Sequence, residues 1–365
     1  MNWRRILVIL IVFLIFHVLS SRVYFAKRIG HVFHETCTER IGHVFHETCT
    51  GASERTVLAG LDVDVVFTWV NGSDPEWLRE YKKYNENSES QEFHLRFGDE
   101  KASELEFAVA LVRKNAPWVR RIFVVVANLG IPQTPPFYLK SPQKLQITLV
   151  SHAMIFPEDA LPTFNSHAIE ANLHRIPGLA EFFLYFNDDV FLMKPLTKRK
   201  CFGLTAAPKQ IVPIVQNMNR WMLHFPPQLG GSVYSRVWYR MATSPEIGPV
   251  NVPWHGFHAL SKCSMVDAEN SFYTSWQATV SSRFRSETDI SPIGLCVNAA
   301  LKKRKMFLAS PGRSLHLSFF NHPGKVVTSD VDVETDVFCL NATADVEVSI
   351  KNLVLALGVR RGLQQ

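Results

Sequence analysis

The strongest constraint in this chain is an alternation between two periodicities. Residues 64–70 (DVVFTWV) form a short run of β-formers, closed by the turn residues Asn71, Gly72, Ser73, Asp74 and Pro75. Residues 103–115 carry helical apolar spacing and stop before Pro117. Residues 119–127 (VRRIFVVVA) and 145–150 read as strands again. Residues 166–176 read as a helix ended by Pro177, and residues 181–186 run straight into Asn187, Asp188 and Asp189. Strands alternating with helices predict an α/β, Rossmann-like domain, its largely parallel or mixed sheet flanked by helices. In such sheets ligands collect outside the carboxyl ends of the strands. Both polar clusters, residues 71–74 and 187–189, fall at such ends.

With 365 residues, 47% of them hydrophobic, the chain can bury one large core or a core plus a subdomain. The net charge of +6 is spread along the sequence, and its densest cluster is Lys302, Lys303, Arg304 and Lys305. No aromatic interleaving accompanies that cluster, so a solvated face accounts for it and no nucleic-acid partner is expected.

Arg4 and Arg5 precede an apolar run over residues 6–19, broken only by His17, and Arg22 follows. A basic flank, an apolar stretch and no small-x-small cleavage site predict a signal-anchor helix over residues 1–25. A signal peptide cleaved near Ser21 is the alternative, and both put the remainder in the secretory lumen. The expectation is a single-pass type II protein of the Golgi or another secretory membrane. Cys201, Cys263, Cys296 and Cys339 could then form two disulfides, and Asn341 heads an acceptable glycosylation sequon. Residues 28–39 and 40–51 are a tandem duplication of twelve residues differing only at the last position. Its His31, His34, Cys37, His43, His46 and Cys49 are metal-type ligands, but a duplicated stem between anchor and catalytic domain accounts for them. The expected organisation is thus an anchor (1–25), a stem (26–60), a catalytic domain (61–345) and a C-terminal helix (346–365).

An Asp-Asp pair directly after an apolar strand is a common way to hold magnesium or manganese against a diphosphate. Strand-end aspartates also cap helices and turns, so Asp188 and Asp189 alone do not decide the chemistry. Their surroundings are more specific. Residues 64–75, Ala116-Pro117-Trp118-Val119-Arg120, residues 161–166, Ala168-Ile169-Glu170, residues 174–179 and residues 185–191 together resemble the first two conserved regions of the Stealth family. His255-Gly256-Phe257-His258, then Ser282 to Ser286 and Asp289, resemble a third region.

The resemblance implies a catalytic set of Glu170, Asp189, His255 and Arg285. It implies a nucleotide-sugar site of Asn71, Gly72, Ser73, Asp74, Asn187 and Arg283, with Mg2+ or Mn2+ on Asp188 and Asp189. An arginine can grip phosphate oxygens with two prongs, and a histidine can take the acceptor proton near neutral pH. The implied reaction moves a sugar 1-phosphate, foremost an N-acetylhexosamine 1-phosphate, from a nucleotide diphosphate sugar to the hydroxyl of a glycan or glycoprotein. A phosphodiester forms and the nucleoside monophosphate leaves. The alternatives are a metal-dependent glycosyltransferase releasing the diphosphate, and a non-catalytic glycan-binding descendant. A second copy of the chain is a candidate partner. The chain departs from the family pattern at Glu106, Ala110 and His322.

Overall fold

The computed structural model describes residues 53–85, 102–127, 132–136, 138, 147–206, 210–216, 218–219, 233–247, 250, 252–254, 256–310, 317–320 and 336–340. The expected anchor, the duplicated stretch, His255, Asn341 and the C-terminal helix lie outside the described residues. Among the described residues, no helix is long and apolar enough to cross a membrane.

Strands β1 (Val63–Trp69), β2 (Ile122–Val126), β3 (Ile147–Ser151) and β4 (Phe182–Asn187) build a parallel sheet. Short strands β5 (Val190–Leu192), β6 (Phe202–Leu204), β7 (Ile211–Val215), β8 (Met218–Asn219) and β9 (Val252–Pro253) pair outside this sheet, and β10 (His258–Ser261) joins β4 antiparallel, giving the order β10-β4-β1-β2-β3. A sheet covered on both faces can bury every side chain, which is why its strands read as near-continuous apolar runs. All five residues of β2 are buried. On one face Val66, Phe123, Val125, Phe183 and Tyr185 pack into a core shared with Trp238, Trp276 and Leu295. These last come from helices α6 (Val233–Thr243), α8 (Tyr273–Ser281) and α9 (Pro292–Lys302). Helix α7 (Lys262–Ser271) follows β10, and its first amides are held by Glu181, whose carbonyl accepts from Lys262 N and whose Oε1 accepts from Cys263 N.

Helix α1 (Glu54–Ala59) precedes β1 and α5 (Lys198–Cys201) follows β5, while α2 (Pro75–Asn85), α3 (Ala102–Asn115) and α4 (Ser166–Ala171) follow the predicted βα alternation. The helix expected over residues 166–176 is shorter. It stops at Asn172, whose Nδ2 donates to Ala168 O at 2.8 Å, and continues as a single 3-10 turn, Leu173–Arg175. A side-chain amide that bonds its own backbone competes with the helical ladder. The cysteines also depart from expectation. Cys263 is disulfide-bonded, whereas Cys201 and Cys296 are free, buried thiols, so they do not join the two bridges expected of the four. Apolar surroundings push both thiols up, which suppresses the reactive thiolate.

At the end of the sheet opposite the polar clusters, one carboxylate ties three segments together. Asp64 is fully buried, and Arg120 grips it with Nε–Oδ1 at 2.9 Å and Nη2–Oδ2 at 2.6 Å. Its Oδ2 also accepts from the backbone of Ala180, just ahead of β4. Asp64→Asn removes the buried charge and keeps the shape, and it is expected to cost about 3 kcal/mol. The midpoint of denaturant unfolding measures it; a midpoint equal to that of the parent would remove Asp64 from this role.

Burial pushes His152, at the end of β3, down to about 4 from an ordinary value of 6.5. Between those values the unfolded chain takes up a proton that the folded one refuses. The stability from a neutral His152 is therefore present above pH 6.5 and lost as pH falls toward 4. The melting temperature should fall across that window, and His152→Gln should flatten part of the fall, with His174, lowered mainly by burial, acting in the same direction.

Candidate functional site

Strands β1 and β4 are parallel neighbours, with Thr68 facing Asn187 in register. The turn after β1 and the Asn187-Asp188-Asp189 turn after β4 therefore emerge side by side. The first turn is heavily bonded within itself. The Gln133 side chain accepts from Asn71 N at 2.8 Å and donates to Asn71 O at 2.9 Å. Asn71 Oδ1 accepts from Ser73 N at 3.0 Å. Asp74 Oδ1 caps α2, accepting from Glu76 N at 2.8 Å and Trp77 N at 3.2 Å, the ordinary way a strand-to-helix turn meets its orphan amides. Gly72 is buried at the centre of the turn.

The second turn is tied to α4 through a phenol. Tyr185 Oη donates to Asn187 Oδ1 at 2.6 Å, with Glu170 Oε1 at 3.3 Å as the alternative acceptor of the same proton, and lies 3.2 Å from Thr68 Oγ1. Burial above all, and then the charge of Glu170, raise its pKa well above the ordinary value, so it keeps its proton at neutral pH. The charge of Asp188 acts in the same direction. Asp189 Oδ1 is buried and has no hydrogen-bond partner among the described residues. An orphaned carboxylate oxygen beside a second carboxylate suits a hard divalent cation. Among the described residues no group of three metal-type side chains stands together.

Arg285 is exposed and bonds Ser166 Oγ at the start of α4, one helical turn from Glu170. Residues four apart share one helix face, so Arg285 and Glu170 stand on the same side of α4. What holds Arg285 there is a buried knot. Asn165 Oδ1 caps α4 by accepting from His167 N at 3.0 Å. Its Nδ2 donates to Ser282 O at 3.0 Å, Phe284 O at 3.3 Å and Asp289 Oδ2 at 2.8 Å. Asp289 Oδ2 accepts in turn from Ser286 N at 3.0 Å, and Arg240 of α6 donates to the carbonyls of Glu287, Thr288 and Asp289.

Arg283 is placed otherwise than a ligand-binding arginine. Its guanidinium donates to Pro162 O at 2.8 Å and Leu161 O at 3.3 Å and stacks 4.1 Å from the Tyr84 ring, so it fastens α2 and the loop before α4. His255 itself is not among the described residues, but β10 begins at His258, which pairs with Tyr185 and stacks on its ring at 6.5 Å. The structure thus links Glu170, Asn187 and Arg285 around α4 and the end of β4, with Asp188 and Asp189 next in chain. Sequence reasoning passed over Thr68, Gln133, Tyr185 and Arg240. Tyr185 carried one signal, a hydroxyl in an otherwise apolar buried strand, since such a group must find a partner.

A family model for Stealth protein CR1, conserved region 1, matches residues 61–89, and one for Stealth protein CR2, conserved region 2, matches residues 96–210. The chain belongs to the Stealth family. The two Stealth regions contain the turn after β1, Glu170, Asn187, Asp188 and Asp189. The chain is 36% identical over 240 residues to the capsular polysaccharide phosphotransferase fcs1 of Haemophilus influenzae, covering 63% of each chain. It is 38% identical over 190 residues to the capsular polysaccharide phosphotransferase cps1A of Actinobacillus pleuropneumoniae, covering 50% of each. It is 31% identical over 304 residues to the exopolysaccharide phosphotransferase SCO6021 of Streptomyces coelicolor, covering 76% of this chain and 51% of that one. This Stealth chain therefore spans between half and two thirds of the length of these curated relatives. A solved galactosyltransferase LgtC, in complex with donor and acceptor sugar analogs, aligns with 81% of this chain and 95% of its own, at a TM-score of 0.42 and 12% identity.

If Asn165 is the tie that sets Arg285, Asn165→Ala should cost about 2 kcal/mol, through a lost cap and lost buried donors. Hydrogen exchange at the Ser286 amide should speed up with it. Unchanged exchange there would show that the loop stands without Asn165.

Proposed function

We propose that this protein transfers a sugar 1-phosphate, foremost an N-acetylhexosamine 1-phosphate, from a nucleotide diphosphate sugar to a hydroxyl of a glycan or glycoprotein. The observation that carries the reading is the grouping at one sheet edge of an acidic pair with an orphaned buried oxygen on Asp189, and of Arg285 beside Glu170 on α4. Relatives named capsular and exopolysaccharide phosphotransferases support it.

In this reading Arg285 grips the equatorial oxygens of the phosphoryl group in transfer and stabilises the charge that grows there. His255 takes the proton of the acceptor hydroxyl, and Glu170 orients it or accepts that proton in its place. Asp188 and Asp189 would hold Mg2+ or Mn2+, which supplies charge neutralisation on the leaving nucleotide. The turn at residues 71–74 offers its backbone around Gly72 to the nucleotide sugar, since Asn71 Oδ1 and Asp74 Oδ1 are engaged in the turn itself. The apolar run at residues 6–19 supports a membrane anchor, and with the sequon at Asn341 a luminal, glycosylated catalytic domain in a secretory membrane such as the Golgi.

The test is the by-product. The purified chain is incubated with uridine, cytidine and guanosine diphosphate sugars, a panel of glycan acceptors with free hydroxyls, and magnesium or manganese, and mono- and diphosphate products are resolved. Monophosphate release is expected; diphosphate release would make the protein a glycosyltransferase, and no release would leave a binding protein. Arg285→Lys should slow turnover by about 10²-fold, because a point charge cannot reproduce the planar fork. Asp189→Asn should slow turnover and weaken its dependence on the metal, with the melting temperature unchanged.

A further inference from the structure

The geometry points to Tyr185 as a positioning residue that couples Glu170 to Asn187, and through Asn187 to the acidic pair, an inference that rests on the transfer reaction proposed above. Its hydroxyl sits where three elements converge. Within 3.3 Å lie Thr68 Oγ1 from the end of β1, Asn187 Oδ1 from the end of β4 and Glu170 Oε1 from α4. Nothing else described bonds all three. The ring is 2% exposed and packed in the main core, so the hydroxyl cannot leave this junction without unpacking the sheet face.

Packing does not explain the hydroxyl. Phe182, Phe183 and Phe186 make phenylalanine the norm in β4, and a phenylalanine at 185 would fill the same space. Burying a hydroxyl is unfavourable unless its bonds replace those to water. A phenol has one proton to give and two acceptors here, the nearer at 2.6 Å and the farther at 3.3 Å. Thr68 can donate in return, which leaves the phenol proton free to serve Asn187 or Glu170. Movement of Glu170 toward the phenol is thus felt at Asn187, one residue from Asp188.

The experiment compares the full-length parent, Tyr185→Phe, and the protein carrying 3-fluorotyrosine at position 185, with nucleotide release from UDP-N-acetylglucosamine and the other donors, in the presence of the same glycan acceptors, as the readout. Tyr185→Phe should lower kcat by about 10²-fold while donor KM stays within about threefold, the split expected when alignment and not affinity is lost. The fluorinated ring keeps the hydroxyl and should restore kcat to within about threefold of the parent. Tyr185→Phe placed on Glu170→Gln should add less than about threefold to the loss from Glu170→Gln alone, because the two act as a unit. If Tyr185→Phe does not fold, Thr68→Val carries the test, with kcat expected to fall by about tenfold. A kcat within twofold of the parent in the folded Tyr185→Phe, or in Thr68→Val where that stands in, overturns the inference, as does a full additive loss in the double variant. A parent that releases no nucleotide from any donor overturns the reading of the reaction and the inference with it. A working parent with an unaffected Tyr185→Phe overturns the inference alone.

Discussion

The bond from Asn165 to Asp289 joins residues 124 apart in sequence, and the candidate site depends on it. One amide side chain caps α4 with its oxygen and collects three acceptors from the 282–289 loop with its nitrogen. Both residues are essentially inaccessible to water, so each bond forms where an unmade one is costly. The consequence is positional: helix and loop cannot move separately, and Arg285 is delivered to Ser166 because the loop has no other place to go. Arg240 reinforces the arrangement from α6 by binding three successive carbonyls of the loop.

The parallel sheet supplies the other half. Pairing β1 with β4 brings the ends of two strands 119 positions apart into register at Thr68 and Asn187. Two turns that emerge together can bind one ligand, which is the ordinary reason that function gathers at this edge of such sheets. At the far end Asp64 performs the opposite duty. It lies within the same Stealth region as the turn, yet its carboxylate is spent on Arg120 and Ala180. A single short motif thus contains a buried ion pair at one end and the Asn71–Asp74 turn at the other, separated by the length of one strand.

Much of the fold was legible because the signal was local. The runs at 64–70, 119–127 and 181–186 could be read as strands because burial on both faces makes them predominantly apolar, and the end of α3 and the start of α4 carry ordinary punctuation. Residue type and family resemblance single out the acidic pair and Arg285 as proposed site residues. What stayed hidden depends on long-range contact. Arg283 and Arg285 are two residues apart with identical chemistry, yet one is stacked on Tyr84 and bonded to backbone carbonyls while the other reaches α4. Nothing in their immediate neighbours distinguishes them; only the path of the loop over α4 does. The cysteines are a similar case, since spacing says nothing about which thiols burial keeps apart.

The turn after β1 has a thermodynamic meaning beyond its shape. Gln133 occupies both backbone groups of Asn71, Asn71 constrains Ser73, and Asp74 is locked to the first turn of α2. A loop whose groups are committed internally loses little freedom when a ligand arrives, because its conformational entropy was surrendered during folding. On the proposed reading, a nucleotide sugar reaching Gly72 meets a surface already cast, and the free energy of that contact goes into holding the ligand and not into shaping the receptor.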